Sequence, residues 1–268
     1  MELIQIIILG IIQGLTEFLP VSSSGHLILT PLILNFNDQG LALDAILHLG
    51  TLMAIFIFFK NDLIEIFSGL FDRNRETHKV AWSIIAASIP AGFIGFFFGG
   101  WIESSLRSPT FVAINLLFWS VVFYFADRFV KNKDELKTEL NNLGFSQVFF
   151  IGLAQALALL PGTSRSGITI AAGLFSNLNH TSATRFSFLL GAPIIFAAGT
   201  HKLVAFFTEP QALQGYTNLH LLVGLGTSFI VGLLAIKLLL NVVEKVGLIP
   251  FIVYRVLLAV IILIYYHG

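Results

Sequence analysis

The chain has 268 residues and a formal net charge of zero, with 56% hydrophobic and only 11% charged residues, and its mean hydropathy is +0.87. Soluble domains carry about 25% charged residues, so this composition predicts an integral membrane protein and argues against a nucleic-acid partner. The chain has no cysteine, which excludes disulfides, thiolate catalysis and zinc–thiolate sites.

Ten apolar segments follow in chain order. They span approximately residues 1–20, 25–36, 41–59, 80–101, 109–130, 144–161, 167–178, 183–207, 219–240 and 248–267. A helix needs about 20 residues to cross the hydrocarbon core, whereas stretches of about 10–14 are typical of re-entrant segments. Segments two and seven are this short, so we expect each to form a re-entrant helical hairpin with the segment before it. The first segment lacks a basic start and a small-residue cleavage site, and we expect it to belong to the mature fold.

A short polar motif occurs twice in these surroundings, and the two copies align under one offset (residue 10 with residue 152). Six residues recur under that offset: Gly10, Gln13, Leu15, Ser22, Ser24 and Gly25. At the centre of the motif, Ser23 in the first copy stands opposite Arg165 in the second. Such polar backbone is tolerated at membrane depth only where it is buried or lines a cavity. Two matched breaks therefore indicate a binding site between two repeats.

The segment count predicts an all-α polytopic membrane protein that forms a single domain over residues 1–268. Each half holds one re-entrant hairpin and about three transmembrane helices, so each has an odd number of crossings and the second repeat is inverted. The repeats span about 1–130 and about 144–268, joined by a cytoplasmic connector at 131–143. Lys and Arg concentrate in three loops on one side, which we interpret as cytoplasmic. We expect the termini on the outer side and the two hairpin tips in contact within the membrane.

The first motif carries a carboxylate, hydroxyls and a histidine. Gln13 and Glu17 are four residues apart and share one helix face, and Pro20 ends that helix. An ionised group in an apolar segment indicates a functional site; the alternative for Glu17 is a structural carboxylate bound by nearby hydroxyls. Ser23 is the predicted nucleophile with His26 as its base, and close helix packing by small residues is the alternative role of the serines.

The second motif carries an anion site. Backbone N–H groups at a helix N-terminus bind anions, and an arginine forks onto phosphate in a bidentate manner. We therefore expect Arg165 to bind phosphate; the alternative is a structural ion pair with Glu17. Further predicted substrate-binding residues are Gln13, Ser22, Ser24, Gly162, Thr163, Ser164 and Ser166.

Two other polar features are interpreted more simply. Asp44 and His48 are four residues apart, which favours a local hydrogen bond between them, with a metal-related role as the alternative. Arg185, at the head of segment eight, is interpreted as an interfacial charge.

The run Gln-Gly-Leu-Thr-Glu-Phe-Leu-Pro-Val-Ser-Ser-Ser-Gly-His at 13–26, together with Pro-Gly-Thr-Ser-Arg-Ser-Gly at 161–167, closely resembles the bacterial undecaprenyl-diphosphatase family of the bacitracin-resistance type. The resemblance covers essentially the whole chain. It implies removal of the terminal phosphate of undecaprenyl diphosphate, which regenerates the lipid carrier of cell-wall synthesis. It also implies two inverted repeats, an active site open to the outer leaflet of the bacterial cytoplasmic membrane, and dependence on a divalent cation.

Carried onto this sequence, the resemblance places the essential carboxylate at Glu17, the hydroxyl at Ser23, the histidine at His26 and the arginine at Arg165. The family often has a second carboxylate one turn before Glu17, where this chain has Gln13. That difference makes Glu17 and the phosphates of the substrate the main ligands expected for a Mg²⁺ or Ca²⁺ ion. Direct attack by water, activated by His26 or Glu17, is the competing mechanism.

Two functions of other classes remain open from the sequence. A transporter or flippase for a phosphorylated polyprenyl lipid would also use inverted repeats with broken helices. Such a carrier needs the Arg165 loop but has no need of a Ser23–His26 pair. A purely structural membrane protein leaves Glu17 and Arg165 unexplained.

Overall fold

The computed structural model describes residues 2–37, 40–131, 140–208 and 215–267. All regular structure in these ranges is helical. In chain order the helices are α1 Leu3–Phe18, α2 Ser23–Leu34, α3 Gly40–Phe58, α4 Lys60–Phe71, α5 Thr77–Ser105, α6 Pro109–Lys131, α7 Phe145–Leu157, α8 Arg165–Phe175, α9 His180–Thr208, α10 Asn218–Val246 and α11 Ile249–His267, with a short 3₁₀ turn at Leu140–Asn142 before α7. The central part of the predicted connector, 132–139, lies outside the described residues.

Five of these helices, α5, α6, α9, α10 and α11, are long and apolar enough to cross a membrane. A sixth crossing is obtained if α3 and α4 are taken as one broken span, bent by 81° between them. The predicted polytopic all-α fold is thus confirmed, with five or six apolar spans among the described residues against the three full spans expected in each half. The inverted relation between the halves stays a prediction.

The segment after α3 differs from the sequence-based interpretation, which placed a loop there. Residues Lys60–Phe71 form α4, whose apolar side chains Ile64, Phe67 and Phe71 are exposed. Its polar residue Asp62 pairs with Arg185 at the start of α9. The sequence of Lys60–Phe71 is too short and contains too many polar residues to be recognised as a membrane segment. A helix with one polar and one apolar face is typical of the membrane interface.

The two short apolar segments form the second arms of two helical hairpins, as predicted. In each hairpin the arms pack against each other: α1 with α2, and α7 with α8. The first hairpin lies against α3 and α10, and the arm α8 of the second lies between α6 and α9. Close approach requires small residues, because a Cβ added at Gly14 of α1 would collide with the side chain and backbone of α10. Both hairpins are therefore packed into the bundle on one face, while the outer face of α7 and the end of α2 remain exposed.

The tips of the hairpins touch, which confirms the predicted meeting. The Ser166 hydroxyl at the start of α8 donates to the carbonyl of Leu19 at the end of α1 over 3.2 Å. A Cβ added at Gly167 would collide with the ring of Phe123 and press on Pro20, so glycine is required for this approach. The two breaks in the helical backbone consequently form one contiguous region in the core.

Candidate active site

Each hairpin turns through a serine with nearly the same backbone geometry. Ser22 has φ 77° and ψ 95°, and Ser164 has φ 76° and ψ 108°. A positive φ is uncommon outside glycine and clusters at functional sites. The hydroxyl of Ser22 accepts from the amide of Gly25 and that of Ser164 from the amide of Gly167. Both turns thereby cap a helix whose first N–H groups are suited to binding anions.

Glu17 lies at the centre of the region and is only 7% exposed. Its Oε1 accepts from Arg165 Nη2 at 3.0 Å, and its Oε2 accepts from Ser23 Oγ at 2.8 Å. Gln13 Nε2, one turn back on α1, donates to the same Oε2 at 3.1 Å. The predicted carboxylate, hydroxyl and arginine are therefore brought together, with the carboxylate joining the other two groups.

Arg165 is the first residue of α8 and reaches across to α1 and α9. Besides its bond to Glu17, its Nη1 donates to the carbonyl of Ser187 at 3.1 Å. A Cβ at Gly191 would collide with the guanidinium group, so this glycine of α9 makes room for the arginine. The ion pair with Glu17, which the sequence left as the alternative role of Arg165, is present. This ion pair leaves N–H donors of Arg165 available for a phosphate, since a guanidinium group has five of them.

His26 does not pair with Ser23 as predicted. Its Nδ1 lies 2.7 Å from the carbonyl oxygen of Ser22, and its Nε2 lies 2.7 Å from the hydroxyl of Tyr254 on α11. Because a carbonyl only accepts, Nδ1 donates the proton and the Nε2 of the neutral ring accepts from the tyrosine. Spacing on a helix brings Ser23 and His26 to one face, but the ring turns back to its own i−4 carbonyl. The group that accepts from Ser23 is Glu17.

These groups border a cavity of about 170 Å³. Its lining includes six of the predicted site residues, two further polar residues, and an apolar side. The predicted ones are Glu17, Ser22, Ser23, Ser24, Ser164 and Arg165; the added polar ones are His48 and Gln155; the apolar side is Ala91, Ala158, Leu159, Ile194, Ile195, Ala198 and Gly199.

Four predicted substrate-binding residues are placed behind the cavity lining. Gln13 is fully buried against Glu17, and Ser166 bonds to the first hairpin as described above. The hydroxyl of Thr163 accepts from Asn115 Nδ2 on α6 at 2.8 Å. Gly162 has φ +91° and a backbone oxygen that accepts from Arg255 at 3.0 Å. Their contacts in this structure build the turns and hold Glu17; a direct contact with substrate stays a prediction.

His48 was assigned a local bond with Asp44, and that bond exists, but the acceptor is the backbone carbonyl of Asp44 at 2.7 Å from Nδ1. The other ring nitrogen, Nε2, lies 3.8 Å from Glu17 Oε2. The helix α3 thus directs an imidazole nitrogen at the central carboxylate. The sequence left a metal-related role of Asp44 and His48 as the alternative to their local bond, but nothing in the spacing indicated that His48 faces Glu17.

Gln155 and Arg255 were also missed. Gln155 is the repeat partner of Gln13; its Nε2 lies 3.4 Å from the carbonyl of Ala87, and its buried Oε1 has no hydrogen-bond partner among the described residues. Arg255 is fully buried on α11 and donates to the carbonyls of Pro20, Leu116 and Gly162. The repeat offset could have indicated Gln155, and an arginine inside an apolar span could have indicated Arg255.

The oxygen and nitrogen atoms at the site determine whether it can hold the divalent cation that the resemblance implies. In the described part of the chain no group of three or more His, Cys, Asp or Glu residues is placed to hold a metal ion. Mg²⁺ is commonly bound by one or two carboxylates together with waters and substrate phosphates. A carboxylate accepts at about four lone-pair sites, so Glu17 retains capacity beyond its three donors. The residues fit such an ion when phosphate oxygens complete its coordination.

The fold and the cavity define a polytopic membrane protein with a buried carboxylate–guanidinium pair and two helix N-termini at one internal site. Comparison with known proteins gives the family. The model of the bacitracin resistance protein BacA matches residues 6–261, and the chain belongs to that family.

Individual relatives cover almost the whole chain. An undecaprenyl-diphosphatase of Teredinibacter turnerae is 41% identical over 98% of this chain and 99% of its own. An undecaprenyl-diphosphatase 2 of Stutzerimonas stutzeri is 41% identical over the full length of both chains. An undecaprenyl-diphosphatase 1 of Pseudoalteromonas translucida is 42% identical over 97% of each.

Proposed function

We propose that the protein is an enzyme that hydrolyses undecaprenyl diphosphate to undecaprenyl phosphate and inorganic phosphate. Its family and relatives of this name support the reaction. One observation in the structure carries it: the Ser23 hydroxyl donates to a buried carboxylate that is paired with Arg165. The residues that we propose as nucleophile, proton acceptor and phosphate-binding cation thus lie together at the cavity.

The serine route follows from this geometry. Ser23 Oγ attacks the terminal phosphorus, the bond from that phosphorus to the bridging oxygen breaks, and undecaprenyl phosphate leaves. The hydroxyl proton passes to Glu17 Oε2, the atom it already contacts. Water then attacks the phosphorus of the phosphoserine, and the bond from that phosphorus to Ser23 Oγ breaks. The proton held by Glu17 returns to Oγ, which restores Ser23, and inorganic phosphate leaves with the oxygen and the remaining protons of the water. A nearby base is the general requirement for a hydroxyl nucleophile, and the carboxylate meets it here in place of His26.

Arg165 and the two helix N-termini bind the diphosphate group and stabilise its negative charge. Phosphoryl transfer depends on positioning and on stabilising charge that spreads over the phosphoryl oxygens, and fixed donors in a site of low polarity do this at little reorganisation cost. Glu17 together with phosphate oxygens would hold a Mg²⁺ or Ca²⁺ ion, which would supply further neutralisation of that charge. His26, bonded to Ser22 and Tyr254, orients the turn that carries Ser23.

A carrier or flippase is not favoured. The serine–histidine pair that was to separate an enzyme from a carrier is absent from the structure, but a different feature takes its place. A carrier of the headgroup has no need of a hydroxyl held on a carboxylate beside the phosphate-binding arginine, and the relatives bear an enzyme name.

The direct experiment measures phosphate release from undecaprenyl diphosphate by the purified protein in detergent, with and without a chelator. The wild-type protein should release phosphate, and the chelator should suppress it. Glu17→Gln, which keeps the shape and removes the charge, should lower turnover by about 10³-fold or more. Glu65→Gln on α4, which lies outside the cavity, is the matched control and should behave as wild type. Binding without hydrolysis by the wild-type protein would contradict the proposal.

The protein is a multi-pass membrane protein, and we place it in the bacterial cytoplasmic membrane with both termini and the cavity mouth on the outer side. The concentration of Lys and Arg in three loops supports this orientation. A cysteine introduced at Lys137 of the cysteine-free chain should resist an impermeant thiol reagent in intact cells and react after lysis. Labelling from outside would reverse the orientation.

A further inference from the structure

The cavity has two chemically different sides. The polar side carries Glu17, Arg165 and the serine turns, and it accounts for binding the diphosphate. The apolar side is formed by residues from three places: Ala91 of α5, the Ala158-Leu159 segment after α7, and Ile194, Ile195, Ala198 and Gly199 of α9; His48 and Gln155 complete the lining. An anion alone gains nothing from such a wall, whereas an amphiphile buries its apolar part against it.

The volume of the cavity limits what it can hold. Pockets for drug-sized ligands measure about 300–1,000 Å³, and this one measures about 170 Å³. A diphosphate with the start of an isoprenoid chain fits that scale, but a long polyprenyl chain does not. The remainder of the chain has to leave the bundle, and contact with the apolar lining residues is more favourable for hydrocarbon than contact with the charged groups.

The apolar side leads from the core to the surface along α9. Ile195 is 6% exposed, and Ala198, almost one turn further along the same helix face, is exposed at the surface. Ala91 of α5 faces the same cavity and is buried. A proline precedes the lining residue in both helices, Pro90 in α5 and Pro193 in α9. Each proline removes one backbone hydrogen bond, which weakens both helices at the level of the cavity.

We propose that the passage between α5 and α9, from Ala91 and Ile195 to Ala198, is the binding site for the first isoprene units and the lateral exit of the polyprenyl chain. This inference rests on the proposed function and adds the part of the site that selects a lipid. It accounts for the apolar half of the cavity lining, which the phosphate chemistry leaves without a role.

Cysteine protection tests the passage without relying on turnover. The chain has no cysteine of its own, so Ala198→Cys and the neighbouring control Ala197→Cys, exposed but outside the lining, can each be alkylated selectively. A non-hydrolysable methylene analogue of undecaprenyl diphosphate at about ten times its Kd should slow alkylation of Ala198→Cys about tenfold. Inorganic pyrophosphate should not slow it, and neither ligand should affect Ala197→Cys.

The alternatives give different results. Equal protection by pyrophosphate would assign position 198 to the headgroup site. Absence of protection by the lipid analogue would mean that the polyprenyl chain leaves the protein elsewhere. Either result would contradict the proposed passage. Protection is measured without hydrolysis, so a wild-type protein that releases no phosphate would contradict the proposed function alone.

A bulky side chain gives a second measure. Ala198→Phe should lower kcat/KM for undecaprenyl diphosphate about tenfold or more, since the filled passage excludes the chain. Isopentenyl diphosphate, whose one isoprene unit ends inside the cavity, should be affected at most about threefold. Ala197→Phe is the control and should leave both substrates unchanged. An equal loss for the two substrates in Ala198→Phe would indicate damage to the headgroup site and contradict the exit.

Discussion

The two serine turns share one backbone and differ in what they carry. In both, a serine with positive φ accepts a hydrogen bond from the amide three residues later, and in both its hydroxyl lies close to that of the second serine, at 3.3 Å in the first turn and 3.2 Å in the second. At the position between these serines the first turn has Ser23 and the second has Arg165. The same scaffold thus presents a hydroxyl from one side and a guanidinium from the other.

Glu17 is what makes the two turns one site. It bonds to Ser23 through one oxygen and to Arg165 through the other, so neither turn is complete without α1. In the second half the equivalent of Glu17 by the repeat offset is Leu159, an apolar residue of the cavity wall. The repeat supplies two similar anion-binding frames, and two divergent positions, Ser23 opposite Arg165 and Glu17 opposite Leu159, divide the chemistry between them.

Removal of the Ser23 hydroxyl is expected to have the largest effect. If Ser23 is the nucleophile, Ser23→Ala should lose about 10⁴-fold or more in turnover while diphosphate binding largely survives. Rapidly quenched wild-type enzyme should carry label from a terminally labelled substrate, and Ser23→Ala should carry none. Ser68→Ala, on α4 and outside the cavity lining, is the control.

The competing mechanism, direct attack by water, predicts a smaller loss of turnover in Ser23→Ala. If water held by Glu17 attacks directly, Ser23 contributes one stabilising donor, and Ser23→Ala should cost about 10²-fold. Wild-type enzyme would then trap no label. A decrease of about 10²-fold together with no trapped label would exclude the phosphoserine intermediate. It would not change the roles proposed for Arg165 and Glu17.

Arg165→Lys tests the second turn. A lysine keeps the charge but loses the fork that reaches Glu17 and Ser187 together, and we expect a decrease in kcat of about 10²–10³-fold. Arg185→Lys, whose partner Asp62 is partly exposed, should lie within about threefold of wild type. Near-normal turnover of Arg165→Lys would reduce Arg165 to a structural partner of Glu17.

Most of the fold follows from the sequence because it depends on strong local signals. Long apolar stretches fix the spanning helices, and the Pro20 and Ser/Gly signals fix the first hairpin turn. The helix α4 escaped detection because its apolar face is laid out at helical spacing between charges, which a search for continuous apolar stretches does not detect. Glu17, Ser23 and Arg165 were selected because polar residues are costly in such surroundings; the structure brings the three into contact, and their roles in the reaction stay predictions.

The errors concern contacts between distant segments. Spacing alone put His26 beside Ser23, but Tyr254, 228 positions away in sequence, takes up the second ring nitrogen. Arg255 joins Pro20 and Gly162 from the last helix, and no local pattern indicates that a buried arginine on α11 serves both turns. The packing of α11 on α6 decides these roles, and it becomes visible only in the structure.

Arg255, like Glu17, contacts both turns, so Arg255→Lys should disturb them together. Lysine cannot reach several carbonyls at once, and loss of hydrogen bonds from a buried cation should lower the free energy of unfolding by about 2 kcal/mol or more. We expect a lower Tm and about a tenfold decrease in kcat/KM. Arg128→Lys, at an exposed position on α6, should change neither. A lower Tm with unchanged activity would separate the stability of the turns from catalysis.

Tyr254→Phe is expected to have the smallest effect and bears on the assignment of Glu17 as the proton acceptor. The phenylalanine keeps the ring that stacks on His26, with centroids 5.7 Å apart, and removes only the hydroxyl bonded to Nε2. If His26 serves to orient the first turn, its bond to the Ser22 carbonyl persists, and kcat should fall by no more than about fivefold. The control is Tyr124→Phe on α6, and trapped label on Ser23 should be retained. A decrease as large as that of Ser23→Ala would place the His26–Tyr254 pair on the path of the proton and remove Glu17 from that role.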